Sequence, residues 1–298
     1  MKKLIVFVVF NCLIAGSLVA QEATFSVLLN KGKNELGKPG KLNMLMAGSK
    51  VNPGDILKVQ EGGYVALIHN ATGASVELDG KSTYTEEKLQ QIIGEQSASV
   101  MTKYGKFLME KMNPQDYANQ NLNVTGAVER GKEDLISIGL PKVGDIYGNK
   151  AFVTWQRLDN IQEYVVTCKD KLDEVISETT VTGHSYLLDL DQIALQDEKM
   201  IIINVRAKNS DAFRSPDFGI KRMSLAEKAT IDRALADMKK IPTSGNVMDQ
   251  LLLASFFEQN DLLADAITCY NQAAIAAHQA DGFDTIYNSF MARNGFGK

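Results

Sequence analysis

Between Pro141 and Met223 the chain alternates short apolar runs with polar or glycine-bearing turns, and this rhythm limits the fold more than any other feature. The runs are AFVTW from Ala151, EYVVTCK from Glu163, SYLLDL from Ser185 and MIIINVRAKN from Met200. Tyr186, Leu188 and Leu190 alternate inward and Ile201, Ile203 and Val205 do the same, so each segment predicts a strand that gives one face to a core. Two antiparallel sheets packed face to face satisfy that pattern, and the lone Trp155 supplies bulk for the space between them.

A chain of 298 residues has room for two or three domains of this size, each able to bury its own core. A hydrophobic fraction of 45% with 23% charged residues is that of a folded chain. Lys and Arg number 32 against 36 Asp and Glu, a net charge of -4, which gives no basic footprint for nucleic acid.

The first twenty residues predict export. Lys2 and Lys3 precede an apolar run from Leu4 to Ala20, interrupted by Asn11, Gly16 and Ser17. This is the pattern of a secretory signal peptide over residues 1–20, cleaved before Gln21. A membrane anchor is the other reading of that run. Phe10 and Asn11 stand before Cys12 where a lipid-attachment motif has small residues. No later stretch is long and apolar enough to span a bilayer. The expected location is the periplasm, the outer membrane or the cell surface. Cys168 and Cys269 fall in separate regions and in apolar patterns, so they read as small buried hydrophobes and not as a disulfide framework.

Residues 21–112 predict a small all-β roll with trailing helices. ATFSVLLN, DILKV, YVALIHN and ASVELDG are its strands, with turns at Pro53-Gly54-Asp55, Gly62-Gly63 and Asn70 to Gly73. The run GSKVNPGDILKVQEGGYVALIHNATGASVELDG resembles the β domain of FecR-type periplasmic regulators, whose spaced glycines encode a roll of short strands. Thr85 caps a helix with Glu86 and Glu87 in its first turn and Leu89, Ile92 and Ile93 as its stripe. A second helix carries Val100, Tyr104, Phe107, Leu108 and Met112 before Asn113-Pro114 ends it. Residues 113–139 are polar and weakly patterned and read as a linker.

The sandwich segment, residues 140–223, resembles a fibronectin type III domain. Trp155 stands where that family keeps a core tryptophan, and RAKNSDAFRSP is similar to its closing segment. Residues 224–298 read as helical. Ser224 and Glu227 form a capping box, followed by Leu225, Ala229, Leu235 and Met238 at helical intervals. From Val247 the chain resembles one tetratricopeptide repeat, with Leu253, Ala254 and Phe257 at the pairing positions of its first helix. Ala266, Tyr270 and Ala273 take those of the second. A single repeat cannot bury its own apolar face, so it must pack on neighbouring helices, on the sandwich or on another protein. The resemblance implies a protein-binding face made by Met248, Leu251, Ser255, Glu258 and Gln259.

Reactive constellations are missing from the sequence. His69, His184 and His278 are isolated, with no paired-ligand spacing and no nucleophile elbow. Gly32 to Lys38 fits GxxxxGK, but Pro39 follows where a phosphate loop needs a hydroxyl and an amide, so the segment reads as a β-turn. Asp189 and Asp191 offer at most a weak surface Ca²⁺ site, and Asp55, Glu77 and Asp79 an acidic edge. The expectation is a multidomain, non-enzymatic scaffold without cofactor or metal, binding another envelope or surface protein. A carbohydrate- or cell-wall-binding protein is one alternative, and an envelope sensor or an enzyme with an unrecognised site is the other.

Overall fold

In the computed structural model, which describes residues 23–93, 100–111, 136–238, 247–277 and 280–296, strand β1 (Phe25–Lys31) has six buried residues in succession. The sequence predicts alternation here, but both faces of β1 are covered. Phe25 and Val27 join the interior of the roll, while Leu28 and Leu29 turn to a second core shared with the helices. A bulge between Val27 and Leu29 makes that change of face possible.

The roll consists of β1, β2 (Glu35–Lys38), β3 (Lys41–Met44), β4 (Lys50–Val51), β5 (Ile56–Val59), β6 (Tyr64–His69), β7 (Ser75–Asp79) and β8 (Ser82–Thr85). These form two four-stranded sheets, ordered β4-β1-β6-β7 and β3-β2-β5-β8. The GxxxxGK segment is the turn after β1 and strand β2, and Pro39-Gly40 makes the turn into β3. Helix α1 (Glu86–Ile93) starts where Thr85 Oγ1 accepts the Lys88 N–H at 3.3 Å. Leu89 and Ile93 close the roll, whereas Ile92 is exposed, so the apolar stripe is narrower than the sequence predicts.

The second β region has eight strands. They are β9 (Val143–Ile146), β10 (Lys150–Thr154), β11 (Glu163–Lys169), β12 (Val175–Thr182), β13 (Ser185–Asp189), β14 (Met200–Ala207), β15 (Ser210–Arg214) and β16 (Phe218–Arg222). One sheet runs β12-β11-β14-β16-β9, with β15 also on β14, and the other is the pair β10-β13. Every pairing is antiparallel except β16 with β9. Trp155 meets Tyr164 edge-on at 5.5 Å in the core, with Val153, Val166, Leu188, Ile203 and Val205 around them. The expected linker ends earlier than its composition suggests. The Ile136 N–H bonds the Arg214 carbonyl at 3.1 Å, Ile138 bridges to Trp155, and both isoleucines are buried. Residues 112–135, like the expected signal peptide and His278, lie outside the described residues.

Among the described residues five further helices follow α1: α2 (Val100–Lys111), α3 (Leu225–Met238), α4 (Val247–Gln259), α5 (Leu263–Ala277) and α6 (Phe283–Arg293). None of them is long and apolar enough to cross a membrane. The capping box at α3 is reciprocal: Ser224 N–H donates to Glu227 at 2.7 Å, and Glu227 N–H to Ser224 Oγ at 3.3 Å. The buried stripe of α3 is Ile231 and Leu235; Leu225 and Ala229, expected on it, face solvent.

Helix α4 has apolar residues on every side and no single polar stripe, and such a helix belongs in an interior. It forms a hairpin with α5, and this hairpin is the centre of the molecule. Tyr104 of α2 packs on Phe256 at 5.4 Å, and α5 lies along β9 and β10. The roll is tied to the same centre by a two-way backbone bridge between Asn30 and Asp281. Gly282 follows with φ +95°; a Cβ there would come within 2.3 Å of the Leu28 carbonyl oxygen, so only glycine fits this crossing.

Candidate functional site

The face expected to bind a partner is filled from within the chain. Met248, Leu251 and Ser255 are buried, and the Ser255 hydroxyl donates to the Leu251 carbonyl at 2.9 Å. Met248 opens α4, where backbone amides lack intrahelical acceptors. Its N–H donates to Glu77 Oε1 of the roll at 2.9 Å, and Tyr64 donates to the other oxygen at 2.8 Å. The carboxylate therefore sits at the positive end of α4. Burial nevertheless pushes the Glu77 acid upward, against the pull of those two donors.

Glu258, further along α4, is clamped by Arg293 of α6. Nε reaches Oε1 at 3.0 Å and Nη2 reaches Oε2 at 2.9 Å, a bidentate pair with 12% and 7% of the two side chains exposed. Asn294 adds a bond at 3.0 Å and Tyr270 one at 3.2 Å. Gln259 is half-buried, and its Nε2 has no hydrogen-bond partner among the described residues. A partner helix docking on these five residues would have to displace the roll, α5 and α6.

A third carboxylate joins α5 to the sandwich. Asp265 is 5% exposed and accepts the N–H groups of Tyr147 at 2.8 Å and Gly148 at 2.7 Å, in the turn between β9 and β10. One helical turn on, Thr268 accepts the Phe152 N–H at 2.9 Å. Burial raises the Asp265 acid to about 6 despite its two amide donors and the nearby Lys228. Tyr147 donates its hydroxyl to Asp232 at 2.6 Å, and the Lys228 ammonium stands 5.7 Å from its ring centre. The only sequence signal for this joint is an acid inside the apolar run LADAITCY.

The other polar candidates serve the fold as well. Asp191 is held by Asn149 at 2.6 Å and lies 3.6 Å from Arg222, while Asp189 accepts the Asp191 N–H. Asp55 accepts the Asn52 N–H within its own turn and pairs with Lys38 of β2 at 3.1 Å. His69 bonds Thr72 at 2.8 Å and packs on Phe25. Cys168 and Cys269 are free and buried, and burial pushes both thiols up to about 12, far from a reactive thiolate. Among the described residues no three His, Cys, Asp or Glu side chains gather around a point a metal ion could occupy.

The opposite end of the sandwich is open. There the β10–β11 loop, the Gly183-His184 turn and the β14–β15 turn meet around two adjoining hollows of about 250 and 500 Å³. Ile161, Gln162 and Thr182 line both hollows, with Arg157 and His184 on one side and Asn160 and Asn209 on the other. Tyr164, almost wholly buried, lines the floor of the smaller hollow and holds the long loop from beneath: its hydroxyl oxygen accepts the Leu158 N–H at 3.0 Å. Asn160 adopts φ 65° and Gly183 φ +104°, backbone conformations that fix the loop tips. Arg157, Gln162, His184 and Asn209 are exposed, so a preformed concavity with polar side chains at its rim and Ile161 and Tyr164 in its lining faces solvent here. Sequence reasoning missed it because its members come from three separated turns. No protein-family model matches the chain, and no curated protein matches it.

Proposed function

We propose that this chain is an exported, non-enzymatic scaffold of a bacterial cell envelope that binds another protein through the loop end of its sandwich. The single observation carrying this reading is the concavity around Ile161 and Gln162, preformed and seated on a buried tyrosine. Loops on a fixed sheet frame are a common way to present a binding surface. The frame suits such a role, since the half-buried Glu77 carboxylate joins the roll to the hairpin, Glu258 joins α4 to α6, and the buried Asp265 joins the hairpin to the sandwich.

The finer family readings are part of the proposal. Two packed sheets with Trp155 on Tyr164 support a fibronectin-like sandwich, and the α4–α5 hairpin supports a tetratricopeptide-like unit. The paired four-stranded sheets support a FecR-like roll. Export follows from the Lys-Lys start and apolar run of residues 1–20. The direct test places a photo-crosslinking amino acid at Arg157, Gln162 or Asn209 in the native host, with exposed Lys81 of the roll as control. A common protein adduct from the three loop sites and not from Lys81 is expected. No adduct from any of the three, or substrate turnover by the purified chain, overturns the reading.

A further inference from the structure

Strand β12 is the outer strand of the larger sandwich sheet, and among the described residues no strand pairs with its far edge. The hydrogen-bond register shows which of its backbone groups are free. Gly183 N–H donates to the Gln162 carbonyl, and Lys208 N–H to the Glu163 carbonyl. In an antiparallel ladder, residues alternate in the side to which their N–H and C=O point. With Tyr164 opposite Val181 and Val166 opposite Thr179, the amides of Ser177, Thr179, Val181 and Gly183 face β11. Those of Glu178, Thr180 and Thr182 face away.

Edges of this kind are usually blunted by lysine, proline or a central bulge. Strand β12, VISETTVT, has no lysine or proline, and its bulge lies at the hairpin end, beyond the Cys168–Ser177 pair. Six of its eight residues are β-branched, the composition that best suits a ladder. Its one charge is drawn onto the chain's own sheet: Glu178 accepts the Thr167 hydroxyl at 3.0 Å and lies 3.7 Å from Arg206.

We propose that β12 pairs antiparallel with β12 of a second copy of this chain, centred on Thr180. A two-fold pairing places the same patch on both sides, so the strand must be complementary to itself. Centred on Thr180, each outward-facing residue meets another outward-facing residue. Thr180 opposes its own copy, and Glu178 opposes Thr182 in both halves. All three free residues then gain ladder bonds, and no like charges stand opposite each other. Centring on Glu178 would set two carboxylates face to face, which cross-strand pairing disfavours. The occupant is a copy and not an unrelated strand because this register sets every free group against a β-branched strand that the chain itself supplies, with each Glu178 opposite an uncharged Thr182.

The test measures mass in solution by light scattering as concentration rises. The full chain is expected to move from one to two chain masses. Thr180→Glu and Thr180→Lys place like charges at the centre, and each alone is expected to stay at one chain mass where the wild type has doubled. Mixed in equal amounts, the two are expected to recover the doubled mass, an outcome that damaged folding cannot produce. A wild type that stays single, charged variants that double unmixed, or a mixture that stays single while the wild type doubles would each overturn the proposal.

Discussion

The two ends of the sandwich are built on opposite terms. At the end nearer the helices, Asp265 accepts two backbone amides of the β9–β10 turn and Thr268 one from β10, and both acceptors are buried on α5. At the far end, the loops around Ile161 and Gln162 rest on the Tyr164 hydroxyl and hold polar side chains out to water. One end uses charge inside the protein to fix geometry, and the other keeps charge outside. A buried polar group must be matched bond for bond, and the first end is matched in that way. An exposed loop has no such obligation, so its polar residues are free to meet a partner. The sandwich thus has a rooted end and a presenting end, and its hairpin belongs to the root.

Removing the clamp behind the root gives the largest effect. Glu258→Ala leaves Arg293 in an interior site without its bidentate acceptor, and it takes a partner from Tyr270 and Asn294. Breaking a buried pair by deleting one member typically costs about 3–5 kcal/mol. Denaturant unfolding should show that loss as a lower midpoint. A loss below about 1 kcal/mol would mean that the α4–α6 clamp is not a support of the rooted end.

Asp265→Ala comes next. Two backbone amides of the β9–β10 turn lose their acceptor, and an orphaned buried donor costs about 1–3 kcal/mol. The release of a desolvated carboxylate offsets part of this, so a net loss of about 2 kcal/mol is expected from the same orphaned-donor range. Asp265 also predicts a pH signature. Its acid is raised to about 6 from 3.8, so the folded state binds the proton more tightly than the unfolded chain does. The stability contributed is complete below pH 3.8 and is lost as pH rises through about 6. The wild type should therefore lose stability relative to Asp265→Asn between about pH 4 and 6 and run parallel to it above about pH 7. Parallel curves across the whole range would remove Asp265 from the interior.

Much of this contrast was legible in the sequence, and the remainder was not for identifiable reasons. The strands around Val153 and Leu188 were legible because the sandwich core takes one of their faces, and those around Val166 and Ile203 because their apolar runs are buried more fully. Strand β12 was missed because an edge strand packs on one neighbour and needs little apolar pattern. The helices of the hairpin were found, but the environment of Met248, Leu251 and Ser255 was not. Repeat spacing locates the pairing face of a helix, and only tertiary placement says what covers the other face. The lack of a polar stripe on α4, whose few polar residues are scattered around it, was the available clue, since a helix with water on one side keeps such a stripe. The open loop end left no pattern, because its residues are brought together by turns far apart in the chain.

The smallest effect on stability belongs to the presenting end, and it tests the contrast most directly. Arg157 and His184 are exposed and line the same hollow, and Gln162 lines both hollows. Substituting exposed side chains away from caps, strained backbone and buried networks usually changes stability by no more than about 0.5 kcal/mol. Arg157→Ala and His184→Ala should stay within that range in denaturant unfolding while reducing photo-crosslinking from Gln162. Two readouts moving apart in this way would mark residues kept for an encounter outside the molecule. A stability loss above about 2 kcal/mol for either would mean instead that the loops are supports like Asp265, and the two ends of the sandwich would no longer differ in kind.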